Sequence, residues 1–223
     1  MIDTLVRLLP KAQAQWPGLR ERFGLQRYLL VTLHRPSNVD EIEGLKGILE
    51  ALSEISNEIA VLFPVHPRTR RRIHGFGLQE AAQGVQLLEP FGYLNFLALQ
   101  AHADLVLTDS GGLQEETTYL GIPCLTMREN TERPITITEG TNTLVGSDPE
   151  KIMAQAYSIL DGGGKLDGYT WPDFGGPNYD LPFNYDTYVP PGPGRHGNQF
   201  WFQQFKDSHF NALTYSNRSE LVN

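Results

Sequence analysis

Apolar and polar positions alternate in two rhythms over the first 160 or so residues. Short, almost unbroken apolar runs at 28–33, 59–64, 85–88, 104–107, 122–126 and 142–145 predict strands covered on both faces. Between them, 40–56, 67–75, 93–103, 113–120 and 149–161 carry the helical period. Strand and helix taking turns in this way predicts an α/β fold, a doubly wound parallel sheet with helices on both faces. Helix starts are marked by Asn38 or Asp40 ahead of Glu41, and by Asp148 ahead of Pro149 and Glu150.

The first nine residues place Ile2, Leu5, Val6, Leu8 and Leu9 on one side of a helix that Pro10 is expected to end or closely follow. Such a stripe must pack on something. It is expected to face a neighbouring domain and, in the isolated chain, to cause self-association. Beyond Asp161 the rhythm stops: residues 161–223 hold nine glycines, six prolines and 13 of the 23 aromatics, which predicts an irregular or disordered tail. The expected division is 1–20 as an interdomain-type helix and linker, 21–162 as the folded domain and 163–223 as the tail.

With 223 residues, 40% of them hydrophobic, the chain can bury one sizeable core. Its net charge of -8 gives no basic field, so nucleic acid is not the expected partner. Arg68, Arg70, Arg71 and Arg72 make a local exception, expected to be mostly a solvated helix face with one member reaching inward. A single cysteine, Cys124, rules out an internal disulfide and reads as a buried strand position, which fits a reducing cytoplasm. Asp3 and Arg7 interrupt the only N-terminal apolar stretch, so no secretory signal or membrane span is expected. The sequon Asn217-Arg218-Ser219 is read as incidental.

Candidate chemistry gathers just after three of the strands. Leu105-Val106-Leu107 runs into Thr108-Asp109-Ser110-Gly111-Gly112, where the missing Cβ atoms and the amides of a following helix suit an anion. His34-Arg35-Pro36-Ser37-Asn38 and His66-Pro67-Arg68 end two more apolar runs. In an open parallel sheet these ends share one crevice, so a nucleotide or sugar phosphate is the expected ligand. No metal cluster or nicotinamide fingerprint accompanies them, and no cofactor is expected.

These segments, together with Glu89-Pro90-Phe91-Gly92-Tyr93, Leu113-Gln114-Glu115-Glu116, Met127-Arg128-Glu129-Asn130-Thr131-Glu132-Arg133-Pro134, Glu139-Gly140-Thr141-Asn142 and Leu144-Val145-Gly146, resemble the non-hydrolysing UDP-N-acetylglucosamine 2-epimerases over roughly residues 1–160. That family pairs two Rossmann-like domains in the manner of the GT-B glycosyltransferases, and the chain resembles the second of them. The resemblance implies that Ser110, Gly111 and Gly112 hold the diphosphate and that Glu116 takes the ribose hydroxyls. It implies further that Arg35, His66 and Arg133 line the cleft and that His34 is the catalytic residue on this half. Glu115 is expected to cap its local turn. The chemistry implied is proton removal at C2 of the sugar, loss of UDP to a glycal, and readdition with inverted C2. The acid/base carboxylates of the family lie in its first domain, so a separate N-terminal domain or a second copy of the chain is an expected partner. A donor-binding half of a GT-B glycosyltransferase, a hydrolysing epimerase and a non-catalytic nucleotide-sugar binding module remain alternatives. Nothing after about Lys165 resembles the family's closing helix.

Overall fold

A computed structural model of the chain describes residues 2–163. Six parallel strands, β1 (Tyr28–Thr32), β2 (Ala60–Pro64), β3 (Gln86–Leu88), β4 (Leu105–Thr108), β5 (Cys124–Thr126) and β6 (Asn142–Leu144), form one sheet in the order β3-β2-β1-β4-β5-β6. Each lies within two residues of a run read from the sequence. Every neighbouring pair is parallel, with Leu29 beside Val61 on one side and beside Leu105 on the other. The chain builds outward from β1 to β3, then returns to the far side of β1 and builds outward again. Loops leaving β1 and β4 therefore part in opposite directions and open a crevice at their carboxyl ends.

The helices are α1 (Ile2–Gln13), α2 (Trp16–Phe23), α3 (Pro36–Val39), α4 (Ile42–Ile55), α5 (Pro67–Gly75), α6 (Tyr93–Ala101), α7 (Gly111–Leu120), α8 (Ile135–Thr138) and α9 (Pro149–Leu160). On one face of the sheet, Leu29, Val31, Val61, Phe63, Leu105, Leu107 and Leu125 pack with Leu45, Ile48, Leu49 and Leu52 of α4 and Ile152 and Ala156 of α9. The alternate residues Leu30, Leu62 and Val106 are buried on the other face. Tyr28 also points to that side, where its hydroxyl donates to the Leu99 carbonyl of α6 at 2.5 Å. Cys124 is fully buried as read, and burial pushes its thiol up to about 12, out of the range of reactive thiolates.

Three local expectations are corrected. First, α1 runs through Pro10 to Gln13, because Leu5, Leu9 and Ala12 are buried in a line that continues past the proline. Second, part of its stripe packs back on α6 and α7 of the same unit: Leu5 and Leu9 are covered there, while Ile2, Val6 and Leu8 stay half-buried. Third, α4 is not capped by Asn38 or Asp40: the chain first makes the separate turn α3, and Glu41 precedes α4 without a side-chain cap. Asp148 does cap α9, accepting from Glu150 N at 3.0 Å. The expected tail, His196, His209 and the Asn217 sequon lie outside the described residues. Among the described residues no helix is long and apolar enough to cross a membrane.

Candidate functional site

The polar end of β4 organises the crevice. A buried strand, apolar from Leu105 to Leu107, delivers Asp109 into the interior, where a carboxylate persists only if hydrogen bonds replace its water. Asp109 receives them from the loop after β1: His34 N at 3.0 Å, Arg35 N at 2.8 Å, Asn38 Nδ2 at 3.1 Å and His34 Nδ1 at 2.9 Å. Asn38 also donates to the Met127 carbonyl at 3.2 Å, tying in the loop after β5. Burial raises the Asp109 pKa, but the bonds from the His34 side chain and the backbone outweigh it and hold the carboxyl below its ordinary value. The same bond keeps His34 protonated above its ordinary value, against its partial burial and the charge of Arg35. With Nδ1 committed to Asp109, Nε2 is the nitrogen left for chemistry, on a side chain 51% exposed. Arg35 turns its Nε onto the Asp109 carbonyl at 3.0 Å.

One residue further, Ser110 precedes α7 without capping it, and its own N–H goes to Thr108 Oγ1 at 3.0 Å. Gly111 and Gly112 thus open a helix whose first amides meet no side-chain cap, the arrangement that draws an anion. The Arg128 guanidinium stands beside Gly111. Its Nη1 lies 3.6 Å from where a Cβ on Gly111 would stand, and Glu132 Oε2 lies 3.8 Å from the same point. Arg128 forks onto Glu132 at 2.7 and 2.6 Å, which pulls the Glu132 carboxyl down to about 2. Arg133, the arginine expected in the cleft, is instead paired through Nε with Glu115 Oε1 at 2.5 Å. Glu115 therefore serves an ion pair rather than the expected turn cap.

Glu116 lies one turn into α7 and is only 6% exposed, so it is no surface carboxylate. Tyr93 donates its hydroxyl to Glu116 Oε1 at 3.1 Å. The Gln100 amide sits beside the same carboxylate, near enough to lower its pKa, yet neither amide atom closes a hydrogen bond of normal length. Burial is the larger influence, and the Glu116 pKa ends above its ordinary value.

His66 caps α5, its Nδ1 accepting from Arg68 N at 3.2 Å. That fixes the proton on Nε2, a donor. His34 and His66 then meet in one cavity of about 180 Å³, lined also by Thr32, Leu33, Pro64, Pro90, Phe91 and Phe96. None of the four clustered arginines lines it: Arg68 and Arg72 pair with Asp40, Arg70 with Glu89, and Arg71 is exposed. His102 stacks on Trp16 at 4.2 Å.

The structure thus unites His34, Arg35 and the Ser110-Gly111-Gly112 turn through Asp109, and His34 with His66 in the cavity. It pairs Arg133 with Glu115 of α7. Sequence reading passed over Asp109, Asn38, Arg128, Glu132, Tyr93 and Gln100 as site residues. Only Asp109 carried a signal, an acid directly after a buried strand that must find donors.

Three comparisons give this geometry its relatives. The family model for UDP-N-acetylglucosamine 2-epimerase matches residues 1–175. The chain is 46% identical over 140 residues to the UDP-N-acetylglucosamine 2-epimerase of Methanococcus maripaludis, covering 60% of this chain and 38% of that protein. It is 44% identical over 134 residues to the UDP-2,3-diacetamido-2,3-dideoxy-D-glucuronate 2-epimerase of Pseudomonas aeruginosa, covering 60% and 37%. The Methanocaldococcus jannaschii UDP-GlcNAc 2-epimerase, solved in complex with UDP-GlcNAc and UDP, superposes with a TM-score of 0.64 at 40% identity, covering 72% of this chain and 46% of that one. The chain spans under two fifths of the length of these curated relatives. With most of its length matched by the family model, the chain belongs to the UDP-N-acetylglucosamine 2-epimerase family.

Proposed function

We propose that this chain is the nucleotide-binding half of a UDP-sugar 2-epimerase acting on UDP-N-acetylglucosamine. The observation that carries the reading is the joining of the uncapped glycine turn of α7 to the His34 imidazole through one buried carboxylate, Asp109. In this reading Ser110 and the Gly111 and Gly112 amides take the diphosphate, with Arg128 beside them and Arg133 behind. Glu116 takes ribose hydroxyls. Arg35 and His66 line the cleft, and the donor on His66 Nε2 faces the sugar side.

The reaction breaks the C2–H and C1–O bonds of the sugar, forms a C1=C2 double bond and releases UDP. Readdition of UDP at C1 and of a proton at the opposite face of C2 completes the epimerisation. His34, whose protonated form Asp109 favours, neutralises charge on the departing diphosphate. The base is a different matter. Asp109 is saturated, Glu115 is paired and Glu116 is turned to the ribose, so these carboxylates leave C2 to groups supplied by a complementary domain or a second copy. The single buried cysteine suits a cytoplasmic setting.

Solvent-deuterium incorporation at C2 of UDP-N-acetylglucosamine tests this. The chain alone should exchange nothing measurable, and adding the remaining part of a relative should restore exchange that His34→Ala then lowers by about 100-fold or more. Vigorous exchange by the lone chain would overturn the assignment of the base.

A further inference from the structure

Tyr93 opens α6 and Gln100 follows seven residues later, about two helical turns on, so both side chains stand on one face of that helix. That face packs against α7 and meets it at Glu116. Tyr93 spends its hydroxyl on Glu116 Oε1, leaving Oε2 for another donor. Gln100 is fully buried beside that carboxylate, with its amide nitrogen and oxygen both unpartnered. A methionine or leucine would fill this place without orphaning two polar atoms, so packing alone does not account for the amide.

We propose that Gln100 is a positioning residue, which together with Tyr93 aims the Glu116 carboxylate at the vicinal hydroxyls of a bound nucleotide's ribose and so sets the preference for ribose over deoxyribose. This rests on the reading of Glu116 as the ribose acceptor. As a hydroxyl donates to Glu116, the carboxylate settles between it and α6, and the Gln100 N–H closes its bond from behind. The three donors converge on a single acceptor group, whose position then depends on each of them.

Calorimetry on the full chain with UDP, and with analogues lacking one ribose hydroxyl, reads this directly. The native chain should prefer UDP by roughly tenfold or more. Gln100→Met should cut that preference at least about threefold while leaving the deoxy analogue's affinity unchanged, and should melt no lower than the native chain, because it relieves an unsatisfied amide. Tyr93→Phe, at a partly exposed position, should cut the preference in the same way. Glu116→Ala should abolish it. Should Glu116→Ala keep the preference, the ribose reading itself falls. Should Glu116→Ala lose it while Gln100→Met keeps it, Gln100 does not position Glu116. A Gln100→Met chain that fails to fold, or that weakens both ligands equally, makes the amide structural and overturns the proposal.

Discussion

Asp109 and Glu116 stand seven positions apart on one strand-turn-helix unit, both buried, and their surroundings could hardly differ more. Asp109 accepts four hydrogen bonds from the single loop after β1 and is held below its ordinary pKa. Glu116 accepts one tyrosine hydroxyl, lies beside an amide that closes no bond, and is held above its own. A saturated carboxylate is a joint: its donors fix the loop that carries His34 and Arg35, and it has nothing left to offer a ligand. An undersupplied one keeps capacity in reserve, at some expense of stability. Burial alone does not separate scaffold from site; the count of satisfied lone pairs does.

The sharpest way to break the contrast is to delete each carboxylate in turn. Asp109→Ala should cost about 3 kcal/mol or more, since it orphans the backbone N–H groups of His34 and Arg35 and the Asn38 amide. Glu116→Gln should cost under about 1 kcal/mol at neutral pH, and could raise stability, because it removes a charge that the fold disfavours. The two acids also tilt stability in opposite directions. Asp109 contributes fully above the ordinary value of 3.8, and its contribution disappears as pH falls through the lower folded value. Glu116 favours the fold in its protonated form, fully below 4.5, and that contribution is lost as pH rises through the higher folded value. Urea denaturation across a pH series measures both. Equal losses from the two variants would erase the distinction.

Gly111→Ala probes the turn between the two acids. A Cβ there would meet Arg128 and Glu132 at 3.6 and 3.8 Å, ordinary contact distances, so the fold should stand within about 0.5 kcal/mol. The same methyl would occupy the approach to the helix amides, and UDP affinity should fall roughly tenfold. Calorimetry beside a thermal melt decides it: unchanged affinity would show that no diphosphate reaches this turn.

Much of this was legible in the chain, for physical reasons. Parallel strands covered on both faces must be apolar throughout, so Leu29 to Leu33 or Leu105 to Leu107 announce themselves. The glycine pair after β4 and the histidines after β1 and β2 announce the crevice, because loops at those ends have to converge. Boundaries set by long-range packing were not legible: nothing local carries α1 past Pro10, and only contact with α6 and α7 does so. Nor was the choice between arginines. Arg128 and Arg133 sit in the same polar stretch, and only the fold puts one beside Gly111 and the other on Glu115. Gln100 looked like any polar residue of a helix until packing buried it.

The smallest effect concerns two histidines that mirror the two acids. His34 is tied to Asp109 and titrates above 6.5, whereas burial beside Trp16 lowers His102, a shift its Ala98 carbonyl contact only partly offsets. The stabilisation from the charged His34–Asp109 pair is complete below 6.5 and fades as pH rises through the higher folded value, leaving a neutral hydrogen bond behind. Arg35 works against that charge, so Arg35→Met should move His34 further up and leave His102 where it is. Ring-proton NMR against pH resolves the two curves in one sample. A native His34 titrating at or below 6.5 would mean that its Nδ1 is not held on Asp109 in solution, and the imidazolium assigned to the departing diphosphate would lose its support.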